Sequence, residues 1–387
     1  MTLSLYSGIF SIYLLLIMMI PAIVIGLMGK SSKIYGMLVS IVFISLIMGL
    51  GTFKMTQFLA FILCQAILVK LYQYIHGKTK NKNKWLYFLV LFFSIFPIFA
   101  VKLCAHSSRF SVLGFVGISY ISFRVWQLII EIHDDHINKL PILDMLYFIT
   151  FFPCLQSGPI DRYGRFLKDL ENNVSGSEYV NEYLICGLKK ICIGIFYKFA
   201  VASIINNFVL DKLPKEVTFL SAIIYMYAYT LYLFFDFAGY SNLAIGVSNI
   251  LKIKSPENFD KPFLAKNMKE FWDRWHMSLS KWFGDYLFSR FVLNTLRNGT
   301  FKSKKIAVRC GYMLTMTVMG LWHGFYLFYL IYGIYEGLML VITDIYLKSK
   351  IYRKFKKSRY FEPISIFVCF NVISFGMLLF SGYLFKF

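Results

Sequence analysis

Two histidines stand in apolar or aromatic surroundings, where an imidazole is costly. His323 lies in MGLWHGFYLF (319–328), a run with no acidic and no other basic side chain. Neutral imidazole, with an unperturbed pKa of about 6.5, takes up a proton near neutral pH, and burial favours that neutral form. His323 is therefore a candidate general base. The alternative is a histidine that only hydrogen-bonds a neighbouring helix.

The second histidine, His276, lies in NMKEFWDRWHMSLSKWF (267–283). If this block is helical, Trp272, His276, Leu279 and Phe283 recur at three- and four-residue spacing and lie near one face. The pattern is typical either of a second site histidine or of an interfacial helix whose aromatic belt includes an incidental histidine.

Two carboxylates also fall in apolar runs, where ionisable groups usually face protein or a water-filled cavity. Asp236 ends an aromatic run, and Tyr240 follows about one turn later. It is either a membrane-boundary carboxylate near a helix end or a cavity group that contacts a cationic substrate. Glu336 stands between Gly333 and Gly337, a G-x-x-x-G step that predicts close helix packing. We expect Glu336 to be a buried structural partner.

The composition indicates a membrane protein. Hydrophobic residues make up 58% of the 387 residues and charged residues 16%, against about 25% charged in soluble domains. The net charge of +21 resides in short basic blocks between apolar runs, the pattern of cytoplasmic loops, so no nucleic-acid partner is expected. The seven cysteines form no C-x-x-C pair, and HDDH (133–136) lies in a polar loop. We therefore predict no disulfide and no metal site.

Apolar runs predict about ten transmembrane helices in one domain covering residues 1–387. The expected spans are residues 8–29, 34–50, 55–75, 85–103, 141–156, 183–208, 218–236, 306–322, 325–346 and 362–384. The segments 111–123 and 255–300 are too short or too polar, and we expect re-entrant or interfacial helices there. The basic blocks 76–84 and 346–360 are predicted to lie in the cytoplasm, which places the N-terminus outside. The fold class is thus an all-α, multi-pass protein of the cell membrane.

Several stretches, in order, resemble the membrane-bound O-acyltransferase (MBOAT) family and, within it, the D-alanyl transfer branch. They are GISYISFRVWQLIIEI (117–132), SGPIDRYGRF (157–166), LFFDFAGYSNLAIGVSNILKIKSPENFDKPF (233–263), MKEFWDRWHMSLSKWF (268–283) and MGLWHGFYLFYLIYGIYEG (319–337). Together they span more than half the chain, and the run P-x-N-F-D-K-P-F followed by F-W-x-R-W-H-M-S-L-S is specific.

The resemblance implies D-alanylation of teichoic acid in a Gram-positive envelope. The donor would be a thioester on the phosphopantetheine arm of an acidic cytoplasmic carrier protein, and further partner proteins would act on the extracellular side. The family's W-H-G setting matches His323, as the base for the acceptor hydroxyl, and its R-W-H-x-S-L-S motif matches His276, nearer the cytoplasmic entrance. Because a thioester is already activated, we expect this chain to bind no cofactor of its own.

The resemblance also implies a central funnel or tunnel for the arm. Besides the two histidines, we expect it to be lined by Asp236, which would attract the ammonium of D-alanine, and by Tyr240, Trp275, Ser278 and Trp322. The segment 286–305 mixes apolar and basic residues, as a dock for an acidic carrier requires. The predicted dock residues are Arg290, Phe291, Val292, Leu293 and Arg297; a lipid-surface helix is the alternative.

Two other functions fit the same residues. One is an O-acetyltransferase of exported polysaccharide, which keeps the enzyme class and changes the donor. The other is a proton-coupled transporter or flippase, in which His323 and His276 lie on a proton path. It would move substrate without forming a covalent bond.

Overall fold

Helices dominate the computed structural model, which describes residues 5–6, 8–79, 83–104, 114–214 and 216–385. Within those ranges the only β-type pairing is an isolated bridge between Phe259 and Trp275. The first helices are α1 (Ile9–Leu27), α2 (Lys33–Met48), α3 (Phe53–Thr79), α4 (Lys84–Cys104), α5 (Ile118–His133), α6 (Ile142–Thr150) and α7 (Tyr163–Glu171). The predicted all-α class is confirmed.

The second half continues the helical path. Its α-helices are α8 (Gly176–Glu178), α9 (Ile185–Ile195), α10 (Ser203–Phe208), α11 (Phe219–Ile250), α12 (Met268–Trp272), α13 (Met277–Phe283), α14 (Ser289–Arg297), α15 (Lys304–His323), α16 (Leu327–Leu347), α17 (Lys350–Phe355) and α18 (Phe361–Phe380). π-Helical segments at Tyr179–Leu184, Phe196–Ala202 and Gly284–Phe288 join neighbouring α-helices.

In the described ranges, seven helices are long and apolar enough to cross a membrane. Each of the ten predicted spans falls on a helix or on a run of consecutive helical segments. The seven leave out α2, the short helical run at 142–154, and α15, which carries Lys304, Lys305 and Arg309 near its start. The chain is a multi-pass membrane protein.

The helix α11 is longer than its predicted span, which ended at residue 236. It has 32 residues and ends at Ile250. Its second half is rich in small residues that pack against α9: a Cβ at Gly194 would lie 2.8 Å from the carbonyl oxygen of Gly239. Such small-residue contacts let two helices approach closely without a continuous apolar surface. A prediction based on hydrophobicity therefore ended the span too early.

Two segments were predicted to be irregular. Residues 111–113 of the first lie outside the described ranges, and residues 118–123 begin α5, a 16-residue helix that is not one of the seven candidate spans. The second, 255–300, contains α12 and a helical run at residues 277–297, in which the π segment Gly284–Phe288 joins α13 to α14. Neither is among the seven candidate spans, in agreement with the prediction that this segment is too polar to span lipid.

By its internal contacts the chain forms two compact units, residues 1–195 with 239–256, and residues 196–238 with 257–387. The first unit is organised around Arg124, which is 2% exposed. Its guanidinium donates to the carbonyl oxygens of Phe148 at 3.0 Å and Cys154 at 2.9 Å. These carbonyls flank the end of α6, where Pro153 prevents the helix from continuing. The buried cation thus satisfies the end of that helix.

The second unit contains the closely packed helix pair α15 and α16. A Cβ at Gly333 would lie 2.6 Å from the carbonyl oxygen of Met316, and one at Gly337 would lie 3.1 Å from the Cα of Met313. The predicted close approach at the G-x-x-x-G step is confirmed. Gly320 also faces Gly333, so it is a packing residue of this pair.

Candidate active site

His276 lies in a sharp backbone turn between α12 and α13. Its φ of 44° and ψ of 48° fall in the left-handed region, which is uncommon for a residue other than glycine. Such a conformation costs about 1–3 kcal/mol and persists where the surroundings enforce it. The prediction of one continuous helix from residue 272 to residue 283 is therefore wrong for residues 273–276, which form the turn.

The loop at residues 256–263 holds that turn in place. The N–H of Met277 donates to the carbonyl oxygen of Asn258 at 2.9 Å, and the N–H of Asp260 donates to the carbonyl oxygen of Arg274 at 3.0 Å. The hydroxyl of Ser278 donates to Oδ1 of Asn258 at 2.6 Å. The P-x-N-F-D-K-P-F motif thus fixes the backbone on both sides of His276 by hydrogen bonds.

The imidazole of His276 is 5% exposed. The ring of Phe237 contacts it edge-on at 4.7 Å between centroids, and within the described residues no group hydrogen-bonds its Nε2. Burial, and secondarily the charge of His323, lowers the pKa of His276 to about 3. His276 is therefore a neutral imidazole whose buried Nε2 has no hydrogen-bond partner among the described residues, and such an orphaned polar atom needs an explanation.

His323 is the last residue of α15. It precedes Gly324, which has extended φ and ψ of 170° and 164°. Its half-buried ring lies 4.6 Å from the ring of Trp322 and 4.8 Å, edge-on, from that of Phe380. His323 thus lies against aromatic rings at a helix break, and it belongs to the same compact unit as His276.

Glu336 connects α16 to the segment that carries His276. Its Oε2 accepts a hydrogen bond from Nε1 of Trp272 at 3.1 Å, and its side chain is buried. A side chain at Gly376 would clash with Oε1 of Glu336, so the glycine makes room for the carboxyl group. Glu336 therefore supports Trp272, four residues before His276, in agreement with the structural role expected for it.

Removing the acceptor at Glu336 should destabilise the protein. Glu336→Leu leaves the buried indole N–H of Trp272 without its partner, which costs about 1–3 kcal/mol. Glu336→Gln keeps a side-chain oxygen for the same bond and should cost less. Thermal unfolding of both purified variants in one detergent measures the difference. Equal losses in the two variants would show that the bond to Trp272 does not hold this region.

The other predicted lining residues have different surroundings. Trp275 is buried among the rings of Phe234, Phe259 and Phe271, and the Ser278 hydroxyl is engaged by Asn258. Both therefore shape the turn at His276.

Asp236 and Tyr240 fall in different units. Asp236 forms an ion pair with Lys198 and keeps 36% of its side chain exposed. Tyr240 is buried, with its ring centroid 5.0 Å from that of Tyr6. Sequence reasoning missed Lys198, although a lysine within the apolar run 183–208 is itself a signal.

The predicted dock needs one correction. Val292 of α14 is 7% exposed, and a Cβ at Gly311 would lie 3.0 Å from its Cγ2. Val292 is thus packed beneath α15 and presents little surface to a partner. Leu293 is 54% exposed, Arg297 is exposed, and Arg290 and Phe291 are half-buried. The accessible part of the predicted dock is centred on Leu293 and Arg297.

Comparison with known proteins adds a family. The model of the MBOAT, membrane-bound O-acyltransferase family matches residues 40–385. A teichoic acid D-alanyltransferase of Bacillus subtilis is 38% identical over 97% of this chain and 98% of its own. Another, of Streptococcus thermophilus, is 39% identical over 94% and 91%. A probable alginate O-acetylase of Pseudomonas putida is 32% identical over 59% of this chain and 45% of its own. The family match includes both histidines.

Proposed function

Because the chain belongs to the membrane-bound O-acyltransferase family and is a membrane-bound acyltransferase, we propose that it transfers D-alanine toward hydroxyl groups of teichoic acid. The observation that carries the proposal is the similarity, over nearly the whole length, to proteins named teichoic acid D-alanyltransferase. The presence of His276 and His323 in one compact unit supports a site for acyl transfer there.

The donor is a D-alanyl thioester on the phosphopantetheine arm of an acidic carrier protein in the cytoplasm. The arm arrives with the carrier, so the chain needs no resident cofactor. A thioester carbonyl is already reactive, and the difficult step is activation of the acceptor hydroxyl. That step needs a base held close to the thioester carbon.

His323 is the base in this mechanism. A neutral ring nitrogen of His323 takes the hydroxyl proton while the acceptor oxygen bonds to the thioester carbonyl carbon. The carbon–sulfur bond then breaks, and the imidazolium of His323 returns the proton to the leaving thiolate. The products are a D-alanyl ester and the free thiol of the arm, so atoms and charge balance.

His276 has a separate task. Because its imidazole stays neutral and its Nε2 has no partner among the described residues, Nε2 is free to donate to the thioester carbonyl oxygen when it carries the proton. Such a donor stabilises the charge that develops on this oxygen. Asp236 is a weaker candidate for the D-alanine ammonium, since that ammonium would compete with Lys198.

The carrier docks on α14, at the cytoplasmic side. Leu293→Asp should weaken carrier binding, because it places a charge that repels an acidic partner on an exposed apolar contact. Asn294→Asp adds the same charge to a neighbouring exposed residue of α14 and serves as the matched control. Binding of the charged carrier to the purified protein measures both. Equal affinity of the wild type and the Leu293 variant would remove the dock from α14.

The extracellular acceptor is either teichoic acid itself or an acyl carrier on a partner protein of that side. The N-terminus lies outside in this orientation. A polysaccharide O-acetyltransferase is the second candidate, favoured by the alginate O-acetylase relative. Mass analysis of envelope polymers, with and without the gene, separates the two. Loss of alanyl esters supports D-alanyl transfer, and loss of acetyl esters alone would overturn it.

A further inference from the structure

Three cations surround one buried carboxylate at the end of α16. The side chain of Asp344 is 2% exposed. Its Oδ1 accepts from Nζ of Lys269 at 2.9 Å and from Nζ of Lys348 at 2.7 Å, and its Oδ2 from Nε of Arg309 at 3.3 Å. The three cations come from α12, from α15 and from the residue that follows α16. Asp344 thus fixes three cationic side chains from separate segments in one place.

The cluster has an excess of positive charge. Three cations and one carboxylate leave a net charge of two, and such a concentration at close range is unfavourable unless an anion or water compensates it. The cations remain accessible although the carboxylate does not: Lys269 and Arg309 are each 31% exposed and Lys348 is 50% exposed. The surface is therefore arranged in advance for an anion from outside the chain.

Exposed aliphatic residues lie on the same helix faces as two of these cations. Ile306 is 49% exposed, three residues before Arg309, and Ile345 is 48% exposed, three residues before Lys348. Residues three apart are neighbours on a helix surface. Cations beside exposed aliphatic side chains match the boundary between lipid headgroups and acyl chains. A soluble phosphate ion would make no apolar contact with Ile306 and Ile345.

The geometry points to a binding site for the phosphate of an anionic phospholipid headgroup, formed by Lys269, Arg309 and Lys348. Asp344 holds the three cations in place, Arg309 offers its remaining guanidinium N–H groups to phosphate oxygens, and Ile306 and Ile345 contact the acyl chains. Lys348 belongs to the basic segment 346–360, which is predicted to face the cytoplasm, whose leaflet carries anionic lipid. The site is separate from the two histidines and does not depend on the proposed reaction.

Lipid-dependent thermal stability of the full-length protein tests this site. Adding phosphatidylglycerol to the purified protein in detergent should raise the unfolding midpoint by about 2–4 °C, the shift for ~2–3 kcal/mol of binding at this chain length. Phosphatidylcholine and inorganic phosphate should not. Arg309→Gln/Lys348→Gln should lose the shift. Lys354→Gln/Lys357→Gln, which removes two exposed charges from the basic segment, should keep it.

Three results would overturn the assignment. They are a full phosphatidylglycerol shift in the Arg309/Lys348 variant, an equal loss in the Lys354/Lys357 control, and a comparable shift with inorganic phosphate alone. If the double variant fails to fold, Lys348→Gln alone provides the test, since half of that side chain is exposed. It should keep its midpoint without lipid and lose at least half of the phosphatidylglycerol shift. An unchanged phosphatidylglycerol shift in the Lys348 variant would also refute the lipid site. So would a variant that loses carrier binding and keeps its phosphatidylglycerol shift.

Discussion

His323→Ala is expected to lower the rate of D-alanyl transfer by about 10²–10⁴-fold, the usual contribution of a general base. The acceptor hydroxyl would keep its proton, and within the described residues the other imidazole of this site, His276, is held as a weak base by burial. Single-turnover transfer from charged carrier by purified protein measures the loss. The product to quantify is the new D-alanyl ester.

The control is His136→Ala. His136 is exposed and belongs to the first unit, so its loss should leave the rate unchanged. Carrier affinity and the unfolding midpoint of the His323 variant should stay near the wild-type values, because the His323 ring is only half-buried against its aromatic neighbours and lies away from α14 in sequence. A His323 variant that transfers D-alanine at the wild-type rate would remove this residue from the reaction.

His276→Gly is expected to lower the rate by about 10²–10³-fold, the usual loss when one donor to a developing oxyanion is removed. Glycine adopts the left-handed conformation of this turn freely, so the backbone should keep its course. His276→Ala removes the same imidazole but leaves a Cβ at a positive φ, which costs about 1–2 kcal/mol more. Both variants should lose activity alike, while the alanine variant alone should show the additional loss of stability.

The pH dependence of stability provides a second readout for His276. Its folded pKa of about 3 lies below the ordinary value of 6.5. As the pH falls below 6.5, His276 becomes protonated in the unfolded chain but stays neutral in the folded chain. The free energy of unfolding therefore decreases until about pH 3. His276→Gly should reduce this acid sensitivity. A glycine variant with wild-type activity and an unchanged acid profile would contradict both the role and the burial of His276.

Much of the architecture follows from hydrophobicity alone. The apolar runs predict the long helices because a spanning segment must satisfy its backbone hydrogen bonds internally. The cost of an imidazole in an apolar run is enough to single out His323 from the sequence. The G-x-x-x-G step at Gly333 likewise predicts the close packing of α15 and α16 that the fold shows.

The failures have one physical origin, which is contact between residues far apart in sequence. The turn at His276 depends on Asn258, and the burial of Val292 depends on the absence of a side chain at Gly311. The extension of α11 depends on the small residues of α9. The Asp344 cluster assembles side chains from separate helices, so no local pattern marks it. The spacing of residues in a local stretch of sequence predicts none of these contacts.

The most direct test is ester formation by the purified protein in proteoliposomes that contain a teichoic acid acceptor and D-alanyl-charged carrier. We predict a new D-alanyl ester on the side opposite the carrier, release of the carrier's free thiol, and loss of both in the His323→Ala variant. Movement of substrate across the membrane with the thioester intact and no new covalent bond would contradict acyl transfer and identify a transporter.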